Sequence, residues 1–315
     1  MQWTRHASML AFCIGLLAGP DCAIAAESAP VRLVSAPQPQ VAPPIANPPQ
    51  APTAVGKPRR GANLDLQPWP LGFKLTPAGR PDLRLWWWFY EWNLFGAVND
   101  ALYTGGVAGP LVFSHPGIGE HTNWVPGIHL FALAVEDGIE LRLEIRNETP
   151  HAWPELASMI PCLGAKHRGR HTPEFETERS YFMASDGLRL LVDDGNWRAM
   201  HFNAALRPLI DSRAVDGAFP WSERWPTSGV DATRGVLLRE SKDEGWVFGV
   251  AWERFLAAQG HNWYSCLHLA VQVGPLAPGE SRVIRGKIYL LKGTREDLLR
   301  RYEADFGVAA VGDGS

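Results

Sequence analysis

Cysteine, net charge and long apolar runs are all scarce in this 315-residue chain. Two of its four cysteines, Cys13 and Cys22, fall before Ala25, so a disulfide framework is not what holds a protein of this length together. Lys and Arg number 30 against 33 Asp and Glu, a formal net charge of -3 with both signs interspersed. That balance gives no electrostatic case for a nucleic-acid partner or an anionic membrane surface. The early apolar stretch, Met9 to Ala18, is far shorter than the ~20 residues needed to cross a bilayer, and Pro20 and Asp21 interrupt it. No later run is longer, so no membrane span is expected. Nucleophile elbows, phosphate loops and dinucleotide glycine motifs are missing as well: Gly117-Ile118-Gly119 is followed by no third glycine.

What is present begins with an export signal. Arg5 and His6 precede the apolar stretch, and Ala23-Ile24-Ala25 is the small-x-small pattern that a signal peptidase accepts, so cleavage after Ala25 is expected. Cys22 follows Gly19-Pro20-Asp21 rather than small apolar residues, which argues against lipidation. The mature protein is expected in the periplasm or outside the cell. Residues 26–61 read as a Pro-rich tether: Glu27 to Pro58 has no aromatic residue and contains Pro43-Pro44 and Pro48-Pro49. Such a segment cannot bury enough apolar surface to offset its ordering. Composition then changes abruptly, and every tryptophan of the fourteen except Trp3 lies at or beyond Trp69. Residues 62–310 are expected to form one domain, with Cys162 and Cys266 its only cysteines. Whether those two pair is open, because sequence does not give their separation.

Short apolar segments separated by Gly, Pro and Asp predict an all-β fold, a large antiparallel β-sandwich. The strongest signal is Gly127 to Asn147, where Asp137-Gly138 suits a two-residue hairpin turn. With that loop, Leu130, Ala132 and Ala134 would share an apolar face with Ile145, Leu143 and Leu141. Other expected strands are Leu83 to Trp88, Leu188 to Val192, Val236 to Arg239, Trp246 to Trp252, Leu267 to Val273 and Val283 to Leu291. One short C-terminal helix is expected over Thr294 to Phe306. Thr294 and Asp297 would form its capping box and Gly307 would stop it. The order of elements from Gly245 to Phe306, with its Pro278-Gly279-Glu280 turn, and the segment Glu144 to Cys162 resemble the galactose mutarotase-like β-supersandwich superfamily. That resemblance implies a sugar ligand in a cleft on a concave sheet. The superfamily's epimerases use a His acid and a Glu base, and no motif here matches that pair residue by residue.

The segment Gln259 to His268 carries the densest set of candidate groups. If Leu267, Leu269, Val271 and Val273 face the core, Cys266, His268, Ala270 and Gln272 face the other way. His268 and His261 are then acid/base candidates with Glu253 as their carboxylate partner, Asn262 could bind sugar hydroxyls, and Trp263 could stack on a pyranose ring. The bland alternative is a satisfied interior His268 beside an inert Cys266 thiol. Arg168, within Lys166 to His171, and Asn203 and Arg207 are candidate substrate clamps, although each could equally tie down a loop. Among tryptophans in loop-like surroundings, Trp124, Trp221 and Trp225 join Trp263 as stacking candidates. No cofactor or metal is expected, since no close-spaced ligand pair appears; zinc could be assembled only from His167, His171, Cys266 and His268. The expected function is that of an exported carbohydrate-active protein, an enzyme doing acid/base chemistry on a sugar as epimerase, lyase or hydrolase. The alternative is a non-catalytic glycan- or envelope-binding module. Intact mass of the protein exported from its native host should correspond to a chain beginning at Ala26; a mass retaining Met1 would show that the leader is not cleaved.

Overall fold

The computed structural model describes residues 64–69, 72–93, 112–115, 118–121, 127–150, 152–167, 170–171, 175–194, 198–213, 226–243 and 245–307. The expected signal peptide and tether lie outside these residues, as do Arg168, Trp124, Trp221 and Trp225. The strands are β1 (Leu64–Trp69), β2 (Gly72–Pro77), β3 (Leu85–Asn93), β4 (Val112–His115), β5 (Ile118–His121) and β6 (Ile128–Val135). There follow β7 (Gly138–Arg146), β8 (Ser158–Gly164), β9 (Lys166–His167), β10 (Arg170–His171), β11 (Ser180–Ala184) and β12 (Gly187–Leu190). The chain continues with β13 (His201–Phe202), helix α1 (Arg207–Arg213), β14 (Val236–Glu240), β15 (Trp246–Trp252) and β16 (Phe255–Gln259). Last come β17 (Cys266–Gln272), β18 (Ser281–Lys292) and helix α2 (Arg295–Phe306).

These strands make a β-sandwich. One sheet has seven strands in the order β1-β2-β3-β8-β17-β16-β13, and the other has nine in the order β12-β11-β14-β15-β18-β7-β6-β5-β4. The pairings within both are antiparallel. The core lies between them, where Phe73, Leu85, Trp87, Phe89, Leu163, Leu267 and Leu269 of the first sheet meet Leu130, Leu143, Phe248, Val250 and Ile288 of the second. Strand alternation then leaves the opposite face of each sheet to be covered separately. Helix α2 covers some of the nine-stranded sheet, with Leu298 and Tyr302 packed on Val236, Leu238 and Val247. Ile210 of α1 packs on Ile160, Leu256 and Ala270 at the outer face of the seven-stranded sheet. None of the helices among the described residues is long and apolar enough to cross a membrane.

The expected capping box of α2 is present: Thr294 and Asp297 bond reciprocally, and Gly307 ends the helix at φ 63°. The hairpin forms with a different loop. Val135 pairs with Gly138, so Glu136 and Asp137 make the turn, Ala134 faces Ile139 and Leu130 faces Leu143. The pairing is two residues out from the expected one, which keeps every side chain on its expected face. Two contacts fix this choice. Gly138 takes φ 154° with an added Cβ falling 1.9 Å from the Ile288 carbonyl oxygen, and Asp137 is buried against Lys287 Nζ at 3.0 Å. Lys287 also reaches Asp305 of α2 at 2.7 Å, so the turn and the helix are clamped by one buried cation. Helix α1 is not among the expected elements; Arg207 at its start bonds Asp211 one turn on at 3.0 Å.

Gly286 of β18 lies under the fully buried Trp252, whose ring would sit 2.3 Å from an added Cβ. Gly286→Ala is expected to lower stability by about 1–3 kcal/mol in denaturant unfolding, because the indole has nowhere to move. Gly229→Ala, where nothing lies within 4 Å, should stay within roughly 0.5 kcal/mol.

Candidate functional site

Pairing of β8 with β17 sets Cys266 opposite Gly164 and Leu267 opposite Leu163. Continuing that register by one residue sets His268 opposite Cys162. On either side, Trp88 of β3 pairs with Cys162 and Gln259 of β16 pairs with His268. Trp88, Cys162, His268 and Gln259 therefore form a row across four neighbouring strands, with Cys266 one step along β17. The face is the one expected from sequence: Leu267, Leu269, Val271 and Val273 enter the core while Ala270 joins the outer cluster. The β3 ladder is irregular between Trp88 and Trp92, and Glu91 lies in that irregular stretch.

Four chemically active side chains meet on this face. His268 Nε2 lies 2.9 Å from Glu91 Oε2, and His268 Nδ1 faces Gln259 Oε1. Both acceptors are oxygens, so both ring nitrogens act as donors and the imidazole is cationic. Asn262 Nδ2 also points at Gln259 Oε1 at 3.4 Å, consistent with that amide orientation. Cys162 and Cys266 are free and buried, and their sulfurs and a His268 ring nitrogen lie within 4.8 Å of one another. Burial pushes the His268 pKa down, but the Glu91 carboxylate and the Cys266 sulfur outweigh it and hold it up at about 10. Contact with Cys162 and then with His268 brings Cys266 down to about 6 against burial, whereas Cys162 is pushed up by sharing a proton with Cys266 and by burial. The contacts thus favour the charged forms of both His268 and Cys266.

The loop between β16 and β17 joins this cluster at both ends, at Gln259 and at Cys266. Asn262 Oδ1 accepts from Tyr264 N at 3.0 Å and Cys266 N at 3.2 Å, while its Nδ2 donates to Cys266 O at 2.8 Å. The fully buried Arg239 donates to Ser265 O at 2.9 Å, Ser265 Oγ at 2.6 Å and Gly260 O at 3.2 Å. So braced, the loop holds Ser265 at φ 56° and leaves Trp263 61% and Tyr264 65% exposed. The Arg198 guanidinium lies 4.9 Å from the Trp263 ring centroid and 5.9 Å from that of Tyr264. Arg198 itself takes φ 64° and donates its backbone N–H to His261 O at 2.8 Å. The non-glycine residues of positive φ among the described residues, Arg198 and Ser265, thus flank the same pair of rings.

Other expected site residues are placed differently. Glu253 does not partner His268: both its oxygens are bound by Arg285, at 2.7 Å to the backbone N and 2.9 Å to Nε, beyond the far end of the β16–β17 ladder. The carboxylate that meets His268 is Glu91, 177 residues away in the chain. Asn262 is spent on the loop it sits in. Asn203 donates to Phe255 O at 2.9 Å and accepts from Ala205 N at 3.0 Å, and Arg207 is held by Asp231 at 2.9 Å and Asp211 at 3.0 Å. These side chains tie down loops instead of facing a ligand. His261 is buried, and desolvation pulls its pKa below the ordinary value. Of the suggested zinc ligands, Cys266 and His268 come together with Cys162, while the backbones of His167 and His171 belong to the separate β9–β10 ribbon. Sequence did carry one sign of Glu91: it is the lone acid in the run Leu85 to Asn93.

No family model matches the chain, and no curated protein matches it in sequence. Among solved structures it is similar to a candidate aldose 1-epimerase from Escherichia coli K12, at 10% identity, 58% of this chain, 68% of that one and a TM-score of 0.29. A candidate mutarotase from Salmonella typhimurium aligns at 11% identity over 70% of this chain and 83% of its own, with a TM-score of 0.33. A candidate aldose 1-epimerase from Klebsiella pneumoniae subsp. pneumoniae aligns at 11% over 71% and 66%, with a TM-score of 0.28. At such scores the sandwich stands on its own strand pairing. Asn262→Ala should lower stability by about 2–3 kcal/mol in thermal or denaturant unfolding, since it strips buried backbone groups of their partners. Glu253→Gln, at the Arg285 pair, should cost less than about 1 kcal/mol.

Proposed function

We propose that the protein is an exported carbohydrate-binding protein, held at a distance by its N-terminal tether, that seats a sugar ring on Trp263 and Tyr264. The observation that carries this reading is the exposure of these two adjacent rings, 61% and 65%, on a loop braced from beneath by Asn262 and Arg239. Large aromatics held open to solvent by an internally bonded loop offer a flat apolar surface to the C–H face of a pyranose at little entropic cost. Arg198, poised over both rings, supplies guanidinium donors for hydroxyl, ring or carboxylate oxygens at the rim. Asn203, Arg207, Asn262 and Glu253 are committed to the fold, so among the described residues the rim is where the remaining candidate binding groups face outward.

An enzymatic form, acid/base chemistry on a sugar by an epimerase, lyase or hydrolase, is the second reading. It is favoured by the pairing of His268, on the strand that follows the loop, with Glu91 at 2.9 Å. Trp263→Ala with Tyr264→Ala is expected to weaken binding to the best ligand of a neutral and acidic oligosaccharide panel at least 10-fold, read by calorimetry, with the unfolding temperature little changed. Unchanged affinity would remove the rim from the site. Conversion of any sugar by the wild-type protein that is lost in His268→Asn would favour the second reading.

A further inference from the structure

The fold collects four metal-binding side chains that come from three strands and are remote in sequence. Cys162 sits on β8, Cys266 and His268 on β17, and Glu91 on β3. The ligand atoms of the first three lie within 4.8 Å of one another, and Glu91 Oε2 is 2.9 Å from His268. Around a tetrahedral ion with bonds of ~2.0–2.3 Å the ligand atoms stand roughly 3.3–3.8 Å apart. The Cys162, Cys266 and His268 atoms therefore need a contraction of about 1 Å, and Glu91 must swing off His268 to reach the ion, both within the reach of side-chain rotation. From this geometry we infer that Cys162, Cys266, His268 and Glu91 form a binding site for one zinc-class divalent ion.

The donor chemistry selects the ion. Two thiolates and an imidazole suit a borderline-soft ion, with the carboxylate completing the set; oxygen-seeking ions such as magnesium or calcium find one suitable group here. Charge supports the same conclusion. Two thiolates and a carboxylate around a divalent cation leave one excess negative charge. The fully buried Arg239 bonds Ser180 Oγ, Ser265 and Gly260 O, and the charges that act on it are those of Cys266, then Glu178, then Cys162. Gln259 Nε2 is buried and has no partner, leaving an N–H donor in the cluster of the kind a thiolate accepts from. A metal-loaded cluster would also brace the aromatic loop, because ligand Cys266 ends it. The site stands apart from the carbohydrate reading, and occupancy would take a His268 nitrogen away from proton transfer, leaving the rim as the working surface.

The test uses the full mature chain, made without a metal-affinity tag, reduced, loaded with zinc and desalted. One zinc per chain is expected by elemental analysis, and replacement by cobalt(II) should produce thiolate-to-cobalt charge-transfer absorption. Cys162→Ser and Cys266→Ser should each weaken zinc at least 100-fold, and Glu91→Gln about 10–100-fold. If those variants do not fold, a strong chelator applied to the loaded wild-type protein should lower its unfolding temperature and zinc should restore it. Thiol counting of the protein before reduction covers a competing disulfide; zinc uptake after reduction supports the site. No zinc above background in the reduced protein, or equal stoichiometry in the Cys162→Ser and Cys266→Ser variants, overturns it.

Discussion

Everything at the candidate site depends on the register between β8 and β17. Because side chains alternate along a strand, this one alignment puts Leu163, Leu267 and Leu269 into the core and simultaneously turns Cys162, Cys266 and His268 outward together. A slip of one residue would drive an imidazole and a thiol into the apolar layer and expose leucines. The apolar face thus enforces the polar one. The site is as firmly specified as the core although it contributes little to the core itself.

Groups so placed interact strongly because they are buried. Desolvation opposes every charge in the cluster, yet the imidazole stays cationic because Glu91 and Cys266 lie against it. Arg239 has a matching role in the adjoining loop: its guanidinium, pulled down to about 10 by burial, is kept in place by Ser180 of β11 and by the Ser265 hydroxyl and the Ser265 and Gly260 carbonyls of the segment that carries the exposed Trp263 and Tyr264. Cluster and rim share one segment, since Gln259 and Cys266 at its ends belong to the cluster and Trp263 and Tyr264 lie between them.

Local pattern made some of this legible in the sequence. Alternation over Leu267 to Val273 placed His268 on the correct face, the Thr294–Asp297 box and Gly307 bounded α2, and apolar spacing on either side of Asp137-Gly138 found the hairpin and its inner face. Pairing between distant strands was not legible. Glu253 looked like the partner of His268 because it is near in the chain, whereas a sheet brings Glu91 across from β3 through two strand neighbours. The hairpin register missed by two residues because Asp137 is claimed by Lys287 and α2, a contact with no local signature. Asn203, Arg207 and Asn262 carry the right groups for a ligand, and only their hydrogen bonds reveal that the fold has already taken them.

The most direct test is a crystal structure of the mature protein grown with zinc, with anomalous diffraction recorded on both sides of the zinc absorption edge. The account predicts one strong anomalous peak bonded to Cys162, Cys266, His268 and Glu91, with Trp263 and Tyr264 open to solvent. A site without a peak, with His268 and Cys162 on strands that do not pair, would contradict both the register and the centre built on it.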